Sequence, residues 1–394
     1  MQKDPRINSL LKQEKKRQKS IINLIASENY VSQNVQEVLG SVFTNKYAEG
    51  YPAKRYYGGN EIIDKVERLA QERALNLFIP KAEQKNWSVN VQPYSGSPAN
   101  LAVYLALIPR GGQIMGMELN MGGHLTHGHK VSASGILWKQ IPYGVDKKTE
   151  KLDYKQILKI AKKEKPHIIV AGFTAYSRKI DFKQFRKIAD ACGAILMVDM
   201  SHIAGLIAGK VYPSPFSAPG GQALADIVTT TTHKTLRGPR AAMIFSKKEY
   251  SKKIDKAVFP GVQGGPHINQ IAAAAVAFYE ASQPSFRQYA KQIILNAKTL
   301  AKELEKKGWR IISGGTDSHL FLIDTWLRGI SGAEAEKRLE KRGVIVNKNT
   351  IPFDPRSPMD PSGIRIGTAA VTTQGMKEKD MIRIAKKIDS ILKK

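Results

Sequence analysis

The chain has 394 residues, 42% of them hydrophobic, and a formal net charge of +28 from 62 Lys and Arg against 34 Asp and Glu. Such a length buries a large core with room for two or three domains, and the composition is that of a globular chain rather than a disordered or fibrous one. A single cysteine, Cys192, excludes an intrachain disulfide framework and points to a reducing compartment, the cytoplasm, and no apolar run approaches the roughly 18 residues of a membrane span.

The first segment, "MQKDPRINSLLKQEKKRQKS", lacks an apolar centre and mixes Asp4 and Glu14 with many bases, so it reads as neither a secretory signal nor a transit peptide. Residues 1–50 read as an arm too short for a domain. "EIIDKVERLAQERALNLF" carries apolar residues at Ile62, Val66, Leu69, Ala70, Leu77 and Phe78, the spacing of an amphipathic helix. "WSVNVQP", "PHIIVAGF", "AILMVDM", "ADIVTTTT" and "AAMIFS" are short apolar or β-branched runs, separated in several places by helical pieces such as "FKQFRKIADACG". That alternation predicts an α/β domain with a mostly parallel sheet over 51–270. From 271 the texture shifts to the long helical runs "NQIAAAAVAFYEA" and "FRQYAKQIILNAKTLAKELEKKGW". Strand-like "RIISGG", "HLFLIDT" and "IRIGT" follow, with a capping box from Ser331 to Glu334, so 271–394 reads as a smaller α+β domain.

Ligands of open α/β sheets sit beyond the carboxyl ends of the strands. After "WSVNVQP" comes "YSGSPANLAVYLAL", where Ser97 reads as an N-cap and Pro98 as the first helical residue. Ser95, Gly96 and Ser97 there suit a phosphate, although an ordinary N-cap is the simpler reading. After "AILMV" come Asp199, Ser201 and His202. Asp199 suits a metal ligand, a cap or a partner for a cationic ring nitrogen. After "DIVTTTT" come His233 and Lys234, then a turn with Gly238 and Pro239. A phosphate cradle, a strand-end carboxylate and a strand-end lysine are together what pyridoxal phosphate requires: the lysine for a Schiff base, the carboxylate to keep the pyridine nitrogen protonated. The threonines are ordinary strand formers whose hydroxyls can also line a pocket.

The chain resembles the serine hydroxymethyltransferases, through "NLIASENYVS", "TNKYAEGYPAKRYYGG", "SGSPANLAVY", "GGHLTHG", "VDMSHIAGL", "IVTTTTHKT", "VFPGVQGGP", "SGGTDSHLFL", "VNKNTIPFDPRSP" and "SGIRIGT", spread over about residues 23 to 368. The resemblance implies a fold-type I, aspartate aminotransferase-like enzyme that uses pyridoxal 5'-phosphate. It interconverts serine plus tetrahydrofolate with glycine plus methylenetetrahydrofolate, as a homodimer with shared sites. Lys234 then holds the cofactor aldehyde, Asp199 pairs with the ring nitrogen, His202 lies near the ring hydroxyl and His124 stacks on the ring. Ser95, Gly96, Ser97 and His233 bind phosphate, with Tyr47 and Gly265 from the neighbouring subunit, Thr174 binds the cofactor, and Thr231 belongs with the catalytic residues. Arg365 clamps the substrate carboxylate bidentately, assisted by Ser27 and Arg240. Glu49 is the acid/base, contributed in trans with Tyr56 and Tyr57 alongside. Folate contacts Leu119, Gly123, Leu125, Asn349, Ser357, Pro358 and Met359.

Met121 and Met359 depart from the family pattern near the folate, and the Gly/Pro-rich loop 213–223 is longer than usual. His127 and His129, two apart with no thiol or carboxylate cluster, make a poor zinc site, and no metal is expected. Cys192 reads as packing. The charge is dispersed: residues 1–20 hold seven bases and two acids, residues 151–190 eleven and four. That pattern suits a solvated surface or a field that draws in anionic folate, and it lacks a dedicated nucleic-acid arm. Two other readings are a folate-independent β-hydroxyamino-acid aldolase and a basic nucleic-acid-binding protein with a vestigial site. For the latter the sequence offers no aromatic-interleaved basic motif.

Overall fold

The computed structural model describes residues 4–217 and 223–393. Seven strands form the main sheet: β1 Trp87–Asn90, β2 Gln113–Met117, β3 Lys139–Tyr143, β4 Ile168–Gly172, β5 Ile195–Asp199, β6 Ile227–Thr231 and β7 Ala242–Lys247. Their order is β1-β7-β6-β5-β4-β2-β3. The pairs from β6 to β3 are parallel, and only β7 runs antiparallel to its neighbours β1 and β6. The α/β class with a mostly parallel sheet is therefore as the sequence predicts. Residues of β4 and β6 are buried throughout, as expected of strands covered on both faces.

Two strands of this sheet, β2 and β3, escaped the sequence pattern. In β2, Gly116 lies so close to the backbone of His127 that a Cβ there would meet the His127 carbonyl oxygen at 2.6 Å. In β3, Pro142 is tolerated because β3 is an edge. A packing glycine and an edge proline each disguise a strand.

A second, antiparallel sheet follows: β8 Arg310–Ile311, β9 Leu320–Asp324, β10 Asn347–Asn349 and β11 Gly363–Gly367, in the order β8-β9-β11-β10. Its core gathers Trp309, Phe321, Leu339, Ile364, Ile366 and Ile384. The arm takes part in this body: Ile22–Asn23 pairs in parallel with Val344–Ile345, and Leu24 lies in the same core. The side chain of Ser331 caps helix Gly332–Glu340 by accepting from the Glu334 N–H. Of the 213–223 loop, residues 218–222 lie outside the described residues; Ser217 and Ala223 at its ends form an isolated bridge. No described helix is long and apolar enough to cross a membrane.

Candidate active site

Strands β1, β5 and β6 point the same way, so the chain leaves all three at one edge of the sheet. A cavity of 280 Å³ opens there, lined among others by Ser95, Gly96, Ser97, His124, Asp199, His202, Thr231, His233, Lys234 and Arg365. Ser27 and Thr174 complete the predicted residues in its wall.

The helix after β1 is Gly96–Leu107, and its N-cap is Ser95 rather than Ser97. Gly96 explains the shift, since a Cβ at this position would approach Thr231 Cγ2 to 2.8 Å. The helix can start hard against β6 only with a glycine there. Ser95 makes no side-chain hydrogen bond to the helix, so the positive end of its dipole faces the cavity unquenched. Nearby, the Thr231 hydroxyl and His233 Nδ1 are buried without partners among the described residues. Burial, with the charges of Arg240 and Lys234, pushes His233 down to about 3.

Asp199 ends β5. Its Oδ2 accepts from Asn100 Nδ2 at 3.0 Å and lies 3.2 Å from His127 Nε2, while Oδ1 accepts from the Ser201 N–H at 3.0 Å. Burial alone would raise this carboxyl, but those bonds outweigh it and hold Asp199 well below the usual carboxylate range. The lattice continues outward. Asn100 accepts from the Thr229 hydroxyl and donates to Thr126 Oγ1, which lies 2.7 Å from His124 Nδ1. Burial holds His124 down to about 4, a neutral flat ring at the cavity wall.

Lys234 follows β6, and its carbonyl accepts from Asn29 of the arm. Burial brings its amine down from 10.5 to about 8, opposed by Asp199 and aided by Arg365 and Arg240. His202 is buried, with Nδ1 3.2 Å from Nε2 of the buried His319, and burial drives its basicity far down. Arg365, on β11, is 7% exposed. It donates from Nη1 to the Thr174 carbonyl at 2.9 Å and from Nε to Asn347 Oδ1 at 3.1 Å. Among the described residues no carboxylate pairs with it, and burial lowers it to about 10.

A family model described as serine hydroxymethyltransferase matches residues 1–388. A serine hydroxymethyltransferase of Koribacter versatilis (strain Ellin345) is 55% identical over 383 residues, 97% of this chain and 87% of that protein. The chain belongs to the serine hydroxymethyltransferase family. It is thereby a transferase enzyme of the fold-type I class, in agreement with the main sheet.

The remaining predicted residues lie outside the cavity wall of this family member. Arg240 is exposed, acting on His233 and Lys234 through its charge. Tyr47, Glu49 and Tyr57 form their own group: Tyr47 donates to Glu49 Oε1 at 3.3 Å and meets the Tyr57 ring edge-on. Gly265 lies beside the Tyr47 ring, and Tyr56 packs on Phe259. Of the predicted folate residues, Gly123 is buried and Leu119 and Asn349 are half-buried, whereas Leu125, Ser357, Pro358 and Met359 are exposed. Met121 packs its sulfur over Gly144 and against the main core.

Asn100, Thr126, His127, Ser201, His319 and Asn347 escaped the sequence reading as site residues. Asn100 carried a usable signal, lying four residues after Gly96 on the same helix face. The sequence offers His127 only as a metal ligand with His129; the structure turns its ring onto Asp199 instead.

Proposed function

We propose that the chain moves the hydroxymethyl carbon of serine to tetrahydrofolate and back, giving glycine and 5,10-methylenetetrahydrofolate, with pyridoxal 5'-phosphate as its resident cofactor. The carrying observation is the convergence, in one cavity, of a lysine brought to about 8, a carboxylate held ionised and an arginine without a carboxylate partner.

The residues present fit that cofactor. The uncapped helix start at Ser95–Ser97, with the unpartnered Thr231 hydroxyl and His233 Nδ1, offers donors to a phosphate. His124 offers a ring face, and Asp199 a full negative charge for a ring nitrogen. Bound there, the cofactor supplies an aldehyde for the Lys234 amine and a protonated ring that draws electrons from the substrate carbon.

The chain's own residues supply the rest. With its amine at about 8, a usable fraction of Lys234 is neutral, and therefore nucleophilic, at neutral pH. Asp199 stays charged across physiological pH and so holds a proton on its ring partner. Arg365 takes the amino-acid carboxylate with the guanidinium hydrogens left free by Asn347 and Thr174.

Glu49 moves the proton of the hydroxymethyl oxygen from across a homodimer interface, with Tyr47, Tyr56, Tyr57 and Gly265 from the same side. The reading is supported by exposure: Tyr47, Tyr56 and Tyr57 are 55%, 77% and 48% exposed, and Val42 nearby in the chain is 78% exposed. Such an aromatic patch suits an interface. Leu119, Gly123, Leu125, Asn349 and 357–359 form the folate side, residues 1–50, 51–270 and 271–394 are arm, large domain and small domain, and the lone Cys192 suits the cytoplasm.

The test is serine cleavage by the purified protein with and without tetrahydrofolate, together with its visible spectrum. Cleavage stimulated by folate, in a yellow protein whose spectrum shifts with glycine, is the expected result. Folate-independent cleavage alone would make the chain an aldolase.

A further inference from the structure

We infer that Asn347 is a positioning residue whose neutral amide orients Arg365 while leaving its positive charge unspent for the substrate carboxylate. The inference rests on Arg365 as the carboxylate clamp.

Asn347 and Arg365 face each other across β10 and β11. The Asn347 side chain is fixed at both ends: its Oδ1 accepts from Arg365 Nε at 3.1 Å, and its Nδ2 donates to the Lys348 carbonyl at 2.8 Å. The Lys348 N–H in turn donates to Glu336 Oε1 at 3.0 Å, which ties the strand to helix Gly332–Glu340. On its other side Arg365 Nη1 donates to the Thr174 carbonyl, and Thr174 is pinned by its own N–H to the Gly122 carbonyl at 2.8 Å. Two neutral oxygens thus hold the plane of the guanidinium without neutralising it.

A buried cation is normally given a carboxylate, because an uncompensated one is costly. Here the acceptor beside Nε is an amide, where an aspartate of the same shape would supply the missing charge. The fold forgoes that local stabilisation, and the charge that Asn347 and Thr174 leave uncompensated suits an amino-acid carboxylate. Asn347→Asp therefore acts on binding whatever it does to folding. It supplies a counter-ion to Arg365 but loses the bond that Nδ2 gives to the Lys348 carbonyl, so the two effects on the thermal midpoint oppose each other. It also competes with the substrate, so the KM for serine rises about tenfold or more, the equivalent of about 1.4 kcal/mol, while kcat changes much less.

The experiment compares Asn347→Asp, Asn347→Ala and Arg365→Lys with the natural chain, reading the thermal midpoint without cofactor and KM and kcat for serine. The midpoint shows whether each variant is folded. A raised serine KM with kcat nearly kept in folded Asn347→Asp supports the inference, whereas an ordinary structural asparagine would leave KM unchanged. An unchanged KM in the folded variant overturns it. Should Asn347→Asp not accumulate folded, Asn347→Ala decides: a raised KM with kcat nearly kept supports the positioning role, and an unchanged KM overturns it. If Arg365→Lys leaves KM unchanged, the clamp reading itself fails. If Arg365→Lys raises KM and the Asn347 variants do not, only the present inference fails.

Discussion

The cavity at the strand ends and the segment 47–57 carry the two halves of the proposed chemistry, and they are built in opposite ways. In the cavity the side chains themselves are fixed: Asp199 has three partners, and His124 is tied back to Asn100 through Thr126. In the 47–57 segment the backbone is fixed from within by Arg55, and the side chains of Tyr47, Tyr56 and Tyr57 are left exposed. Arg55 Nη1 donates to the carbonyls of Ala48 and Gly50, on either side of Glu49, at 2.9 and 2.8 Å. The guanidinium is anchored below by Asp64 and by Glu67, a fully buried carboxylate that also accepts from Gln92. Burial pushes the Glu67 carboxyl up against the pull of Arg55. A buried ion pair of this kind contributes specificity of conformation more than net stability, since both charges must be desolvated. The contrast teaches that in the cavity the side chains are fixed within the chain, while in the 47–57 segment a fixed backbone leaves Tyr47 and Tyr57 exposed and Glu49 half-buried, as the proposed shared site requires.

The largest expected effect tests the cavity. Lys234→Ala should abolish turnover and the yellow colour, because among the residues lining the cavity no other is a lysine. Colour and turnover surviving in a spectrum and a serine-cleavage assay would remove Lys234 from the chemistry. Asp199→Asn should keep the cofactor bound and cut kcat by on the order of 10²-fold to 10³-fold, as a neutral amide no longer holds the ring proton. Near-normal kcat would strip Asp199 of that role and leave its hydrogen bonds merely structural.

The 47–57 segment is tested by mixing. Inactive Lys234→Ala and Glu49→Gln chains, allowed to exchange subunits, should regain about a quarter of natural activity, since half the dimers are mixed and one of two sites in each is intact. Absence of recovery after proven exchange would place Glu49 and Lys234 in one subunit's site, with no half-site supplied by a partner.

The smallest effect concerns the cost of burying Lys234. Its folded value, about 8, lies below its ordinary 10.5, so between these pH values the unfolded chain binds the extra proton. Stability of the cofactor-free protein should therefore rise with pH across that window. Its deficit against Lys234→Met, measured by denaturant unfolding, should be largest below pH 8 and fade toward 10.5. A constant difference would show that the amine is solvated rather than buried.

Much of this molecule was legible in one dimension, for local reasons. Fully buried strands such as β4 and β6 write continuous apolar or β-branched runs, and Asp199 and Lys234 declare themselves by following such runs. Ser331 and Glu334 signal their cap by spacing alone. What the sequence determined by itself was thus the alternation of elements, the α/β class and the residues that leave the strands. Only the tertiary structure decided which groups hold those residues in place. His127 and Asp199 are 72 residues apart, Asn100 and Thr229 129 apart, and Thr174 and Arg365 191 apart. No periodicity encodes such pairs, because a hydrogen bond depends on distance in space while periodicity reports only which face of an element is buried. The same reason hid β2 and β3, where Gly116 and Pro142 answer to a neighbour's backbone and to an open edge. Glu49, which the family resemblance puts in one chemistry with Lys234, is half-buried in the 47–57 segment and is not among the residues lining the cavity.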